Sequence, residues 1–359
     1  MKIGVDIQST QGQKTGIGYY TENLLKRLRK RPEVSFCLYR HPSRNDLDTL
    51  KRIKWENADL PHRSRKDRVD ILHVPGFAGP RTGYAGRKVT TVHDLIGLIY
   101  PGNLGTLSRF YWKRWLPFCV RSSDLIISVS EHTKKDITRL LGIPGERIRV
   151  VHSAAEARFS VIQESRDKER VRRKYGLPAR FVMTAGTVEP RKNIPGLIEA
   201  FAAYIGKSET DLSLVIVGKK GWGYAEAEAR ARELDILQRV VFTDYAEDAD
   251  LPLLYNLAEF FIMPSFYEGF GLPVLEAMSC GKAVICSDVS SLPEIAGESA
   301  LFVAPDDLEA MSEAIADLDR NRRKREKFSR LSLSRAGEFS WERTARETMR
   351  AYMEVSGRG

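Results

Sequence analysis

The chain has 359 residues, 42% hydrophobic and 29% charged, the balance of a soluble globular protein with room for two domains of ordinary size. No apolar run reaches the roughly 18 residues of a membrane span. The N-terminus Met1-Lys2-Ile3-Gly4-Val5-Asp6 enters a strand without a signal-peptide profile, and Cys37, Cys119, Cys280 and Cys286 form no zinc-like cluster, so a cytoplasmic location is expected. The net charge of +10 is uneven. Residues 1–175 carry 35 Lys+Arg against 18 Asp+Glu, and residues 176–359 carry 22 against 29. That directs the first half towards something anionic: a membrane surface, a lipid diphosphate or a nucleic acid.

In chain order, residues 2–7 read as a strand, 8–18 as a loop rich in Gly, Ser, Thr and Gln, and 19–30 as a helix. Thr15-Gly16-Ile17-Gly18 stands at the turn. A helix start of this kind is an anion site through its free N–H groups, and a plain tight turn accounts for Gly16 and Gly18 as well. It is not the dinucleotide fingerprint, because the spacing differs and no third glycine follows. Residues 42–68 are polar and basic and are expected to form a mobile surface segment.

Strands follow at 69–74 and 88–92. The second ends in His93-Asp94, at the carboxyl end of a strand, where open α/β sheets bind ligands. His93 can transfer a proton, hydrogen-bond a sugar hydroxyl or serve the structure. Residues 107–120 interleave Phe110, Tyr111, Trp112, Lys113, Arg114, Trp115 and Phe118 at near-helical spacing. This suits core packing with a solvated face, or a helix at a membrane interface. A strand at 125–129 leads to Ser130, the N-cap of a helix through 141, and 147–151 is the last strand of a first domain.

Residues 154–173 are charged and hold no strong strand. The chain therefore divides into a first domain over 1–155, a linker over 156–179, a second domain over 180–340 and a terminal helix over 341–359. The second domain starts with a strand at 181–185, the loop Gly186-Thr187-Val188-Glu189-Pro190-Arg191-Lys192-Asn193 and a helix at 194–205. Arg191 and Lys192 suit a diphosphate, or form a solvated basic turn. Strands at 212–217 and 240–243, a helix at 251–257 and an apolar strand at 260–263 follow. Later strands lie at 283–286 and 300–303, a short helix starts at Ser290-Ser291-Leu292-Pro293-Glu294, and helices span 308–331 and 341–353.

Between the strand at 260–263 and a helix over 274–278 lies Ser265-Phe266-Tyr267-Glu268-Gly269-Phe270-Gly271-Leu272-Pro273-Val274-Leu275-Glu276. Strand, glycine-rich turn and helix aim backbone N–H groups, those of Phe270, Gly271 and Leu272, and the positive end of a helix dipole at one point, where a phosphate is stabilised. Glu268 and Glu276 flank the turn and suit sugar hydroxyls, so a sugar nucleotide is the ligand this stretch favours. The plainer reading has Glu268 in solvent and Glu276 starting a helix. Strands alternate with helices throughout, which makes the class α/β with parallel sheets. Two anion-binding turns, one per half, argue for two doubly wound, Rossmann-like domains facing a central cleft.

Glu268 and Glu276 with seven residues between them, written Glu-Gly-Phe-Gly-Leu-Pro-Val-Leu-Glu-Ala-Met, resemble the signature of family 4 retaining glycosyltransferases, which have the GT-B fold. Thr91-Val92-His93-Asp94-Leu95-Ile96 resembles the His-Asp-Leu step of that family. The resemblance covers almost the whole chain, most strongly 215–307, less at 1–25 and 88–101, and weakly at 40–85. It implies transfer of a hexose from a nucleoside diphosphate sugar to a saccharide or lipid-diphosphate-linked acceptor, with retention at the anomeric carbon.

Under that resemblance Glu268 hydrogen-bonds the sugar hydroxyls and orients the anomeric carbon, Glu276 binds the ribose, and His93 approaches the donor sugar from the first domain. Lys192, Arg191 and the amides of Phe270, Gly271 and Leu272 hold the diphosphate, and the loop with Gly16 and Gly18 lines the cleft. Many family members carry an Arg directly after the glycine at the place of Thr187, and Arg191 is expected to do that work. The base sits near 244–248 on backbone groups, and Ser340-Trp341-Glu342 starts the helix that returns to the first domain. No carboxylate nucleophile is expected. No Asp-x-Asp step sits on a suitable loop, so no metal and no cofactor beyond the nucleotide-sugar co-substrate are expected.

The loop 186–193 and the His-Asp-Leu-Ile step look most like bacterial mannosyl- or rhamnosyl-type transferases of polysaccharide assembly. GDP-mannose is the first expectation for the donor, with a UDP-hexose or dTDP-rhamnose as alternatives, and peripheral contact with the anionic inner face of a membrane is expected. Two rivals come from other classes. A sugar-nucleotide 2-epimerase would need further acid/base carboxylates in the first domain, and no convincing set is present. A nucleic-acid-binding protein fits the charge of residues 1–175 but not the acidic second half, and no binding motif stands out, so no nucleic acid is expected.

Overall fold

Runs of three to six residues rich in Val, Ile, Leu and Phe supply the strands. In the computed structural model, which describes residues 1–12, 16–43, 47–76, 78–103, 105–163 and 166–357, they form two six-stranded sheets with every pairing parallel. The first sheet contains β1 (Lys2–Asp6), β2 (Ser35–Tyr39), β3 (Ile71–Val74), β4 (Arg87–Val92), β5 (Leu125–Ser128) and β6 (Ile148–Val150), in the order β2-β1-β3-β4-β5-β6. The second contains β7 (Phe181–Ala185), β8 (Ser213–Val217), β9 (Val240–Asp244), β10 (Phe260–Met263), β11 (Val284–Ser287) and β12 (Ala300–Val303), in the order β12-β11-β10-β7-β8-β9. Thr15 of the expected glycine turn lies outside the described residues.

Parallel strands need crossovers, and the crossover helices cover both faces of each sheet. In the second sheet Phe181, Met183, Val215, Val217 and Phe261 pack into one core, while Val182, Leu214, Ile216, Phe260 and Ile262 pack into another on the opposite face. Both faces being dry, these strands carry no polar alternation. The order of each sheet also reverses once. From β7 the chain steps outward to β8 and β9, then returns to place β10 on the other side of β7. Loops leaving the carboxyl ends of β7 and β10 therefore diverge, and a crevice opens between them. The first sheet reverses in the same way between β1 and β3.

Residues 1–154 and 340–359 form one compact unit and residues 155–339 the other. The terminal helix Trp341–Val355 lies in the first unit against the helix Gly16–Leu28. There Tyr352 Oη meets His73 Nδ1 at 2.6 Å, Thr344 Oγ1 donates to the carbonyl of His152 at 2.7 Å, and the Trp341 ring meets Tyr20 edge-on.

Several elements differ from the sequence reading. Residues 42–68 hold two α-helices, Thr49–Lys54 and Leu60–Asp67, joined through a π-helical turn at Trp55–Asp59; residues 44–46 lie outside the described residues. Asp48 caps the first of them, accepting from the Lys51 N–H at 2.9 Å. Trp55 and Leu60 anchor the segment in the core, and the Trp55 indole donates to Asp6 at 3.1 Å. Two buried anchors among charged residues make too thin a stripe for periodicity to register. The span 156–179, read as a linker, contains the helix Arg166–Lys174, which buries Val171 in the core of the second unit. The span 308–331 is two helices, Leu308–Arg320 and Arg322–Ala336, because Asn321 leaves the helical region and caps the second, accepting from the Lys324 N–H at 3.0 Å. The edge strand β2 and the helix Tyr224–Glu233 had no clear signal, being respectively only partly buried and mostly Ala, Glu and Arg.

Candidate functional site

At the crevice of the second sheet the loop after β7 meets the turn after β10. Gly186 leaves β7 at φ +137°, where a Cβ would press on Lys192, and a single 3-10 turn, Pro190–Lys192, carries the cations inward. The Phe266 N–H donates to the carbonyl of Arg191 at 2.8 Å and ties the two loops together. Glu268 then receives both cations. Lys192 Nζ lies 2.6 Å from Oε1, and Arg191 Nη1 lies 2.8 Å from Oε2. Arg191 also reaches Glu189 through Nε at 2.5 Å and the carbonyl of Tyr267 through Nη1 at 3.0 Å.

Glu268 is 6% and Lys192 7% exposed, so this pair is dry, while Arg191 and Glu189 extend the network to its partly exposed edge. Burial pushes the Glu268 carboxyl up, but Lys192 and Arg191 outweigh it and hold the carboxyl at about 2. Burial pulls Lys192 below the usual ammonium value, and Glu268 opposes that pull. A carboxylate so firmly ionised, with both oxygens engaged, is a poor general acid and a poor nucleophile. It suits holding other groups in place.

After Glu268 the chain turns through Gly271, at φ +92°, and enters the helix Leu272–Ser279. A side chain at Gly271 would lie 2.6 Å from Leu292, so only glycine fits. The helix starts two residues before the sequence placed it. Pro273 brings no N–H and the Val274 N–H donates to the Gly271 carbonyl at 3.0 Å, so among the opening residues of this helix it is Leu272 whose N–H has no intrahelical partner; Phe270 is buried against Phe339. About one turn into this helix, Glu276 is partly buried. Tyr255, fully buried on the helix Leu251–Leu257, donates its hydroxyl to Glu276 Oε2 at 2.8 Å. Burial nonetheless raises the Glu276 carboxyl to about 7. The two acids of the signature thus sit in opposite electrostatic settings, one with two cations and one with a phenol.

In the first unit Gly16 opens the helix Gly16–Leu28 and Gly18 is buried in its first turn. Ile17 lies so close to Gly76, after β3, that a Cβ on Gly76 would come within 2.4 Å of it. His93 follows β4. Its Nε2 lies 2.8 Å from the carbonyl of Pro75, and its ring meets Tyr20 edge-on at 4.7 Å between centroids. A carbonyl only accepts, so Nε2 carries the hydrogen and the neutral ring keeps Nδ1 as an acceptor. Burial holds the imidazole pKa below its usual value, which favours that neutral form.

The second unit therefore brings Arg191, Lys192 and Glu268 together next to Phe270, Gly271 and Leu272, with Glu276 further along the helix against Tyr255; in the first unit Gly16 and Gly18 open one helix, and His93 meets Tyr20 on it. Sequence reading gave no part to Glu189 or Tyr255. Glu189 was visible within the cationic loop; Tyr255 had no local signal, because its contact spans 21 residues and two elements. Among the described residues no group of three or more His, Cys, Asp or Glu side chains is placed to hold a metal ion.

Two family models match the chain: Glycosyltransferase Family 4 over residues 14–157, and Glycosyl transferases group 1 over residues 166–332. The chain is 34% identical to O-antigen chain mannosyltransferase B of Escherichia coli, across 98% of this chain and 99% of that protein. It is 33% identical to the serotype-specific mannosyltransferase WbdA of E. coli across 74% of this chain, which is 33% of that longer protein. Among solved structures, sucrose-phosphate synthase from Thermosynechococcus elongatus superposes over 100% of both chains with a TM-score of 0.80 at 18% identity. At that identity the likeness speaks to fold alone, and the fold is GT-B, two Rossmann-like domains.

The raised carboxyl of Glu276 has a consequence for stability. A carboxylic acid that binds its proton more tightly when folded destabilises the fold at pH above its folded value, and the penalty fades as pH falls towards the unfolded value of 4.5. Glu276→Gln keeps the Tyr255 contact without the charge. Its Tm is expected to exceed the parent's above about pH 7 and to converge on it near pH 4.5. Thermal melts across that range check this; a Tm gain independent of pH would refute it.

Proposed function

The chain belongs to glycosyltransferase family 4, and on that premise we propose that it is a retaining mannosyltransferase that moves mannose from GDP-mannose to a saccharide or lipid-diphosphate-linked acceptor. The observation that carries this reading is the single carboxylate of Glu268 bridging Lys192 and Arg191 beside the first amides of the helix Leu272–Ser279. Cations and amides suit the diphosphate, and the fixed carboxylate suits the hydroxyls of the sugar attached to it. The mannosyl donor is supported by full-length similarity to an O-antigen mannosyltransferase.

In the proposed reaction the bond from the anomeric carbon to the β-phosphate oxygen breaks as the acceptor oxygen bonds on the same face. The acceptor proton passes to the leaving phosphate, and GDP departs. Lys192, Arg191 and the amides near Gly271 stabilise the charge that grows on the leaving diphosphate. Glu268 orients the sugar, Glu276 accepts from the ribose hydroxyls, and His93 accepts from a sugar hydroxyl through Nδ1. The cations take the part a divalent ion would play, so the reaction is metal-independent.

Glu268→Gln and Lys192→Ala are each expected to lower kcat/KM by about 10²–10³. Because either change disturbs a buried ion pair, Tm is measured alongside; near-normal turnover in a folded variant would sink the assignment. For the parent enzyme, a coupled GDP-release assay should show turnover of GDP-mannose undiminished by a chelator and at least about tenfold slower with a UDP-hexose or dTDP-rhamnose, a gap of roughly 1.4 kcal/mol in the barrier. Loss of activity with the chelator, restored by a divalent ion, would overturn metal independence.

The acceptor side is supported by the helical stretch 106–121. No Asp or Glu stands between Asp94 and Asp124, while Arg109, Lys113, Arg114 and Arg121 are exposed. Leu107 is 42% and Phe110 52% exposed beside them, and Trp112 and Trp115 pack inward. The Ser108 and Thr49 hydroxyls meet at 3.2 Å, close to Leu50, which is 65% exposed. No helix among the described residues is long and apolar enough to cross a membrane, so the proposed contact is peripheral. The protein should float with anionic vesicles at low salt and not with zwitterionic ones, and Leu107→Ser with Phe110→Ser should abolish flotation. Absence of binding at low salt would count against a membrane-borne acceptor.

A further inference from the structure

The loop after β11 reaches across to the turn that carries Glu268. Ser287 Oγ donates to the carbonyl of Ser265 at 2.7 Å. The Glu268 N–H donates to Ser290 Oγ at 3.0 Å, and Ser291 Oγ donates to the Glu268 carbonyl at 2.9 Å. Ser287 and Ser291 are fully buried. Two neighbouring hydroxyls thus hold the two backbone polar groups of a single residue, one by accepting and one by donating.

Ser290 does this from an unfavourable conformation. Its φ is +58°, in the left-handed region where a side chain is strained and glycine is at ease. Glycine would relax the backbone but would offer no oxygen to the Glu268 N–H. Strain of this kind persists where the surroundings over-determine it, and such positions cluster at functional sites.

We infer that Ser290 and Ser291 are positioning residues that clamp the backbone of Glu268, so that its carboxylate is fixed at both ends: by the serines at its root, and by Lys192 and Arg191 at its tip. A glutamate side chain has three rotatable bonds between those ends. Pinning only the tip leaves the root free to shift with the loop, and a displacement near 1 Å at a reacting centre lowers rates severely. The clamp rests on the reading of Glu268 as the group that orients the donor sugar.

Two variants separate positioning from stability, because both delete the hydroxyl but only one keeps the strain. Ser290→Ala retains a side chain at positive φ, and Ser290→Gly removes it. S290G is expected to melt above S290A, yet both are expected to lose kcat/KM by the same factor, about tenfold, since activity follows the hydroxyl. Ser291→Ala, which removes the opposite bond, should fall by a similar factor. If S290G keeps parental activity while S290A loses it in step with Tm, the serines serve only the fold and the inference is overturned. Parental activity in both overturns it equally. Glu268→Gln runs beside them: an inactive E268Q with active serine variants removes the clamp alone, whereas an active E268Q removes the reading beneath it.

Discussion

A carboxylate taken out of water ordinarily takes up a proton, and Glu268 does not because two cations meet it. That encounter rests on topology. Arg191 and Lys192 follow β7 and Glu268 follows β10, and these strands are neighbours only because the chain returns past β7 after laying down β8 and β9. The reversal opens the crevice, and the ion pairs hold its two lips in register. Glu189, the Tyr267 carbonyl and the serines after β11 then add a shell around Glu268 and its two cations. Preorganisation of this kind is what a leaving diphosphate requires, since dipoles and charges already in place need not reorganise as the bond breaks.

The first unit uses different means. His93 is partly buried, neutral and held by a carbonyl rather than by an acid, with an aromatic edge at its flank. It offers an acceptor nitrogen without a charge.

Much of the fold was legible in the sequence because strands buried on both faces read as uninterrupted apolar runs. Val240–Asp244, Phe260–Met263 and Val284–Ser287 fall within a residue or so of where such runs placed them. The signature turn was legible because Gly271 is forced by its φ and by Leu292. What stayed hidden is non-local or sparsely anchored. Trp55 and Leu60 hold residues 49–67 in place, but two apolar side chains among many charges give no period to read. The Tyr255 contact and the serine clamp pair residues more than twenty positions apart, and neither partner is unusual in its own neighbourhood. That Arg191 and Lys192 would both close on Glu268 likewise depends on a strand order that local pattern does not encode.

The terminal helix has a bearing on how the protein is made. Residues 155–339 are contiguous and contain a complete sheet with both its cores, so they can fold as soon as they leave the ribosome. The unit that starts with residue 1 cannot close at that stage. His73 is wholly buried, and its Nδ1 meets Tyr352, a residue synthesised 279 positions later. Until then the helix Gly16–Leu28 lacks the apolar face of Trp341–Val355 that covers it. Synthesis order and completion order therefore differ: the first sheet to be translated gains its last partner only when residue 352 has been made, after every residue of the second unit.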